Sequence, residues 1–178
     1  MHTFLKLILT GLFFSTAVFS VRCQTLKKPL YRIEDNDTGR YGYANAKGDT
    51  IIPFGKYDMC FTERFDQFAI VLLKGKGLVG IDRSENILFN VYIMDNGPDY
   101  PSDGLFRIVQ NGKIGYANLK GQIVIAAKYD CAYPFKKGKA EVGTGCQTKA
   151  DGEYHYWAGG NWWTINKKGQ IVKTSDSR

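Results

Sequence analysis

The sequence predicts an all-β fold, an open curved array of short antiparallel hairpins and three-stranded units, on three observations. One theme recurs four times: Arg40-Tyr-Gly-Tyr-Ala-Asn-Ala-Lys-Gly48, Gly77-Leu-Val-Gly-Ile-Asp-Arg-Ser-Glu85, Lys113-Ile-Gly-Tyr-Ala-Asn-Leu-Lys-Gly121 and Asn161-Trp-Trp-Thr-Ile-Asn-Lys-Lys-Gly169. Glycine marks the reversals, and the apolar runs between them are short, with no sustained helical period. Self-similarity of this kind means that each unit is too small to bury a core alone, so stacked neighbours must supply it. A closed small propeller or barrel is the alternative. A propeller blade is four-stranded, whereas a unit of about 37 residues with strands this short more readily gives three.

The Asn or Asp of each theme sets the register, at Asn45, Asp82, Asn118 and Asn166, which lie 37, 36 and 48 residues apart. Units therefore fall near 39–74, 75–111, 112–159 and 160–173, and the long interval carries an insertion between Val142 and Asn161. Departures from a repeat map to loops on one face, often the binding face. A second theme follows the first: Ile51-Ile52-Pro53, Lys56-Tyr57-Asp58 and Phe65 to Val71 in one copy, and Ile123-Val124-Ile125, Lys128-Tyr129-Asp130 and Phe135 to Val142 in another. The second unit replaces Tyr-Asp with Asp95-Asn-Gly-Pro-Asp-Tyr-Pro-Ser-Asp-Gly104.

Asn111-Gly112, set between Leu105–Val109 and Lys113–Ala117, is a two-residue hairpin signal, because both residues accept the positive φ of a type I′ turn. It predicts that Gln110 faces Lys113, Val109 faces Ile114 and Arg107 faces Tyr116. The same logic puts Gly159-Gly160 at a tip where Trp157 faces Trp162, Tyr156 faces Trp163 and Tyr154 faces Ile165, with His155 facing Thr164. Asp35–Gly39 and Lys74–Gly77 make looser tips. A second reversal at Lys47-Gly48, Lys120-Gly121 and Lys168-Gly169 leads into the aliphatic strands at Ile51, Ile123 and Ile171, and one helical turn is expected around Thr62–Gln67. Side chains alternate with period two, so Tyr41 with Tyr43, Ile114 with Tyr116, and Trp162 with Thr164 each share a side. The glycine of Tyr-Gly-Tyr leaves room for another backbone or ring; Trp163 fills that slot in the last unit, as expected of a cap.

Met1 to Lys6 and the apolar run Leu7–Val21 read as a secretory signal peptide over residues 1–23, which would be helical. At about 15 residues the run is short for a membrane span, which needs about 20. Lipidation at Cys23 is disfavoured by Arg22, which stands where a small residue is wanted. Residues 24–178 then form a single domain of 155 residues, enough for a real core, and the formal charge falls from +7 to +5 on removal of Lys6 and Arg22. Lys and Arg are spread over turns rather than clustered in a stripe, which argues against nucleic acid. Cys60, Cys131 and Cys146 form no C-x-x-C pair, so no zinc site is indicated. One disulfide plus a free thiol, with Cys131–Cys146 the shortest loop, and three buried reduced cysteines both stay open.

Gly112-Lys-Ile-Gly-Tyr-Ala-Asn-Leu-Lys-Gly-Gln-Ile-Val-Ile125, followed by Lys128-Tyr-Asp130, Pro134-Phe135 and Gly138-Lys-Ala-Glu-Val142, resembles the WG-repeat (KWG-repeat) proteins of bacteria. Their unit reads Gly-Lys-Trp-Gly-Phe-Ile-Asp, then Gly, an aliphatic pair, Tyr-Asp and Phe-x-x-Gly-x-Ala. The likeness runs over residues 39–173 and is strongest over 105–142. Tyr41 and Ile114 replace the signature Trp, which survives as Trp162, and the second unit is the poorest match. The resemblance implies an extracytoplasmic β-repeat protein and carries over no catalytic residue.

No catalytic constellation emerges from the residues. His155 is the one histidine beyond His2 and has no nucleophile motif or second metal-binding His. Asp95, Asp99 and Asp103 are spaced too widely for a calcium loop and are expected in a surface turn. No metal or cofactor is indicated. The expected function is that of an exported, non-enzymatic protein, periplasmic, cell-surface or secreted, presenting a surface to a protein or cell-envelope partner. Tyr154, Tyr156, Trp157, Trp162 and Trp163 are its candidate anchors, since rigid aromatics dominate interface energetics. A carbohydrate or cell-wall-binding module is the alternative, marked by rings exposed in one plane.

Overall fold

The computed structural model describes residues 28–175, so the signal segment 1–23 and Cys23 lie outside the described residues. The chain forms 19 strands and no helix among the described residues. The first unit is a meander of β1 (Leu30–Asp35), β2 (Arg40–Ala44) and β3 (Thr50–Tyr57), with β4 (Met59–Cys60) and β5 (Arg64–Phe65) leading out of it. The second is β6 (Phe68–Leu73), β7 (Gly77–Asp82) and β8 (Ile87–Val91), followed by β9 (Ile93–Met94) and β10 (Gly97–Pro98). The third is β11 (Leu105–Gln110), β12 (Lys113–Asn118) and β13 (Ile123–Tyr129), followed by β14 (Cys131–Ala132). The fourth starts with β15 (Lys139–Thr144), is interrupted by β16 (Gln147–Asp151) and β17 (Tyr154–Ala158), and ends with β18 (Asn161–Asn166) and β19 (Ile171–Ser175). All pairing is antiparallel, and none of the sheets closes into a barrel.

The register Asn or Asp closes the second turn of each meander. Asn45 Oδ1 accepts the N–H groups of Lys47 and Asp49 at 2.8 and 3.1 Å, and the same pair of bonds forms at Asp82, Asn118 and Asn166. A short side chain that bonds the backbone two and four residues on replaces missing turn hydrogen bonds. The left-handed position of that turn is Gly48, Gly121 or Gly169, but Glu85 holds it in the second unit at φ 62°. Glu85 is not an idle exception. Its carboxylate accepts from Lys56 Nζ at 2.8 Å and from the Tyr57 hydroxyl at 2.5 Å, joining the second unit to the end of β3.

The Asn111-Gly112 hairpin has the predicted register, with Gln110 opposite Lys113, Val109 opposite Ile114 and Arg107 opposite Tyr116. The expected close approach at Tyr-Gly-Tyr is also found. In β2–β3, Tyr41 faces Tyr57 while Tyr43 faces Ile52, so residues 53–56 bulge over Gly42, and a Cβ on Gly42 would lie 2.7 Å from the Ile52 carbonyl oxygen. Gly115 lies under the equivalent bulge of β13, where a Cβ would meet the Ile125 oxygen at 2.5 Å. Trp163 fits the last unit because β19 passes it in register, opposite Thr174, without such a bulge.

Alternation then distributes the side chains between three cores. Tyr43 of the first unit packs with Val79 and Ile81 of the second. Leu78 and Phe89 of the second pack with Phe106, Ile108 and Ala117 of the third. Ile114 and Tyr116 of the third pack with Val142 and Ile165 of the fourth, with half-buried Trp163 against them. Counted from the register residue, the side of the middle strand bearing Tyr43, Leu78 or Tyr116 always meets the opposite side of the next unit, so the units stack head to tail. The middle core lies between two halves of one seven-stranded sheet, which is continuous through the short β8–β11 pairing of Val91 with Ile108 and Asn90 with Val109.

Three expectations need correction. Gly159-Gly160 is not the tip of a Trp157–Trp162 hairpin: β18 pairs with β15, placing Trp163 opposite Val142 and Trp162 opposite Gly143. The first strand of the fourth meander is the Lys139–Thr144 segment, and the insertion is a separate hairpin within its tip, in which His155 faces Ala150 rather than Thr164. Thr62–Gln67 holds no helical turn but the two-residue strand β5, which pairs with β1. Asp99 is not in a surface turn; it is 3 % exposed.

Candidate functional site

The inserted hairpin stands on a base fixed from three directions. Cys131 of β14 forms a disulfide with Cys146 at the foot of β16. Asp130 accepts the Gly145 N–H at 2.8 Å and binds Lys113 Nζ with its other oxygen, and these two bonds hold its carboxyl below the usual carboxylate range. The Trp162 indole N–H donates to the Gly159 carbonyl at 2.8 Å. Gly145, Gly159 and Gly160 all carry positive φ where the chain leaves and re-enters the meander. Beyond this base β16 and β17 pair only with each other, and every residue of β16 is exposed.

Antiparallel pairing puts Thr148 and Trp157 on one side of the hairpin. That side closes over a cavity of about 230 Å³ whose walls are Tyr92, Met94, Tyr133 and Pro134, with His155 and Tyr156 beside Trp157. Trp157 meets Tyr92 and Tyr133 edge-on, at centroid distances of 6.4 and 5.1 Å. The floor is Arg107, whose guanidinium lies 4.0 Å above the Tyr92 ring. Asp99 grips it through two bonds, at 3.0 Å from Nε and 2.5 Å from Nη2, and also takes the Arg107 backbone N–H at 2.8 Å. Nη1 donates to the Ala132 carbonyl at 3.1 Å. Both charged side chains are 3 % exposed, so this ion pair is dry and fully hydrogen-bonded, as a buried charge must be. Burial pushes the Tyr92 phenol up from its ordinary value.

The five aromatic candidates do not form one surface. Trp157 and Tyr156 line the cavity, Tyr156 being 50 % exposed. Trp162 is 1 % exposed and stacks on Tyr133, which makes it support for the site rather than an anchor. Trp163, one residue on, points to the opposite side and packs against the core between the third and fourth units. The Tyr154 backbone pairs with Asp151, and its side chain lies outside what the structure describes. Sequence reasoning missed Tyr92, Asp99, Arg107 and Tyr133. A signal for Arg107 was present, since the Asn-Gly register sets it opposite Tyr116 on a core-facing side where a charge requires a partner. Among the described residues no cluster of His, Cys, Asp or Glu is placed to hold a metal ion.

The same local construction occurs in the first unit. Arg32 Nη1 donates to the Cys60 carbonyl as Arg107 does to Ala132. Tyr43 stands edge-on to Phe65 as Tyr116 does to Phe135, each Tyr hydroxyl donating to a backbone carbonyl of the connecting segment. The description "WG containing repeat" belongs to a family model that matches residues 41–76 and 114–145, which hold these two copies of the Tyr and its Tyr-Asp segment. The chain carries WG repeats. Neither a curated protein nor a solved structure matches it significantly. Within the WG repeats the Tyr, Gly and register Asn are scaffold, and the aromatic cavity is formed where the insertion departs from them.

Proposed function

We propose that this WG-repeat chain is an exported, non-enzymatic binding protein that holds the inserted hairpin and its aromatic cavity toward a protein or cell-envelope partner. The observation that carries the reading is the hairpin itself: a pair of strands that ladder only with each other, with Tyr156 exposed and Trp157 packed over the cavity against Tyr92 and Tyr133. Export is supported by the apolar N-terminal run and by the Cys131–Cys146 disulfide, a bond that persists in oxidising compartments. The non-enzymatic reading is supported by the floor of the cavity, where Arg107 and Asp99 satisfy each other. A protein partner is favoured over a glycan because Trp157 and Trp162 are packed edge-on and face-on against Tyr133, not laid out in one plane for sugar rings.

The test uses a variant in which residues 145–160 are replaced by Asn-Gly, with Cys131→Ser. This reproduces the β11–β12 tip between Thr144 and Asn161, which already face each other. Pulldown from cell-envelope fractions and glycan-array profiling compare it with the parent chain of residues 24–178. The expected outcome is an envelope protein retained by the parent and lost by the variant while both stay folded. A defined sugar ligand with no protein partner would overturn the reading.

A further inference from the structure

A second concavity lies away from the hairpin, at the seam between the second and third units, and measures about 660 Å³. Its floor is Phe68 and Phe106, two buried rings stacked at 5.8 Å with an interplanar angle of 20°. One wall is the Asn118–Gln122 turn, pressed so flat on Phe68 that a Cβ at Gly121 would lie 2.4 Å from the ring. That turn carries Leu119, 61 % exposed, and Lys120 at the rim. The other wall includes Pro101, from the segment that replaces Tyr-Asp in the degenerate second unit, so this cavity too arises where the repeat is broken. Arg64 and Asp66 on the rim neutralise each other through a two-pronged ion pair. Lys120 has no ion-pair partner among the described residues. The cavity therefore combines a stacked aromatic floor with one net positive charge at its edge. Its volume falls in the range of about 300–1,000 Å³ usual for small-ligand sites.

We propose that this seam cavity binds a small amphiphilic anion, its apolar ring or chain lying on Phe68 and Phe106 and its carboxylate, sulfonate or phosphate head paired with Lys120. The site is separate from the hairpin cavity and does not depend on the function proposed for it. Charge complementarity selects the head group: the ammonium reaches it from a turn already fixed by the two Asn118 side-chain bonds to the Lys120 and Gln122 N–H groups.

The probes are anilinonaphthalene sulfonate and its uncharged counterpart phenylnaphthylamine, titrated by fluorescence against the mature chain. Lys120→Gln lies on an exposed turn and is expected to weaken the sulfonate dye about fivefold or more at low salt while leaving the uncharged dye unchanged. Leu119→Trp, which narrows the mouth from an exposed position, weakens both dyes. The variant lacking β16 and β17 binds both as the parent does. Sulfonate affinity unchanged by Lys120→Gln, or loss of both dyes on removal of the hairpin, would overturn the proposal.

Discussion

At the scale of single residues the Arg107–Asp99 pair decides most. It ties the segment after the second unit to the third unit and, through Ala132, to β14, which pairs with the first strand of the fourth. Replacing either partner alone leaves a buried charge without its counter-ion, so Asp99→Asn and Arg107→Met are each expected to cost about 3–5 kcal/mol of stability. Arg107→Met with Asp99→Asn should cost much less than the two singles together, because no charge is left unpaired. Denaturant unfolding of the three variants checks this, and additive losses would show that the pair is not a unit. Asp99 was misread for a physical reason. Pro98, Pro101 and Gly97 around it signal a turn, but the turns fall on either side, at Asp95-Asn96 and Asp103-Gly104, and the partner that buries its carboxylate stands eight residues on, in a strand. Gly42 and Gly115 were legible as sites of close approach because a missing Cβ is itself a statement about space. What approaches them, a bulged strand rather than a ring, depends on a register that the glycine does not contain.

Among the elements, the inserted hairpin is the one that the stack holds least. Its strands have no ladder to the meanders, so the disulfide and the Asp130 and Trp162 bonds at its base, with the packing of Trp157 on Tyr92 and Tyr133, carry its placement. Reduction of Cys131–Cys146 is expected to raise amide hydrogen exchange across residues 147–158 while residues 139–144 and 161–166 keep their protection from the β15–β18 ladder. Exchange spreading into that ladder would mean that the disulfide supports the fourth unit as a whole. Cys60 should not confuse the experiment. It is fully buried, and burial pushes its thiol up to about 11, so it remains protonated at neutral pH. The insertion could be located from the 48-residue interval, but not its pairing. Gly159-Gly160 has the composition of a tip, and only the ladder of β18 with Lys139–Thr144 shows that the two glycines are the re-entry point of a longer excursion.

For the whole molecule, stability resides between units rather than within them. A single meander has one side committed to the unit before it and the other to the unit after it, as the three separate cores require. A chain ending at Gly138 would lose Ala140, Val142 and Ile165 from the last core and expose Ile114, Tyr116 and Phe135. It is expected to self-associate and to melt several degrees below the parent, by roughly the nearest-neighbour energy of one interface. Size-exclusion chromatography and a thermal melt test this; an unchanged midpoint in a monomeric truncated chain would refute head-to-tail stacking as the source of stability. The sequence by itself determined the number of units, their Lys-Gly reversals, the Asn-Gly register and the place where the repeat is interrupted, because these depend on residues within a few positions of each other. Only the tertiary structure decided which side of each strand meets which neighbour, that Arg107 and Asp99 share a dry site, and that both cavities lie at breaks in the repeat. Those outcomes join residues from different units, and period-two alternation says that a strand has two sides without saying what each one will face.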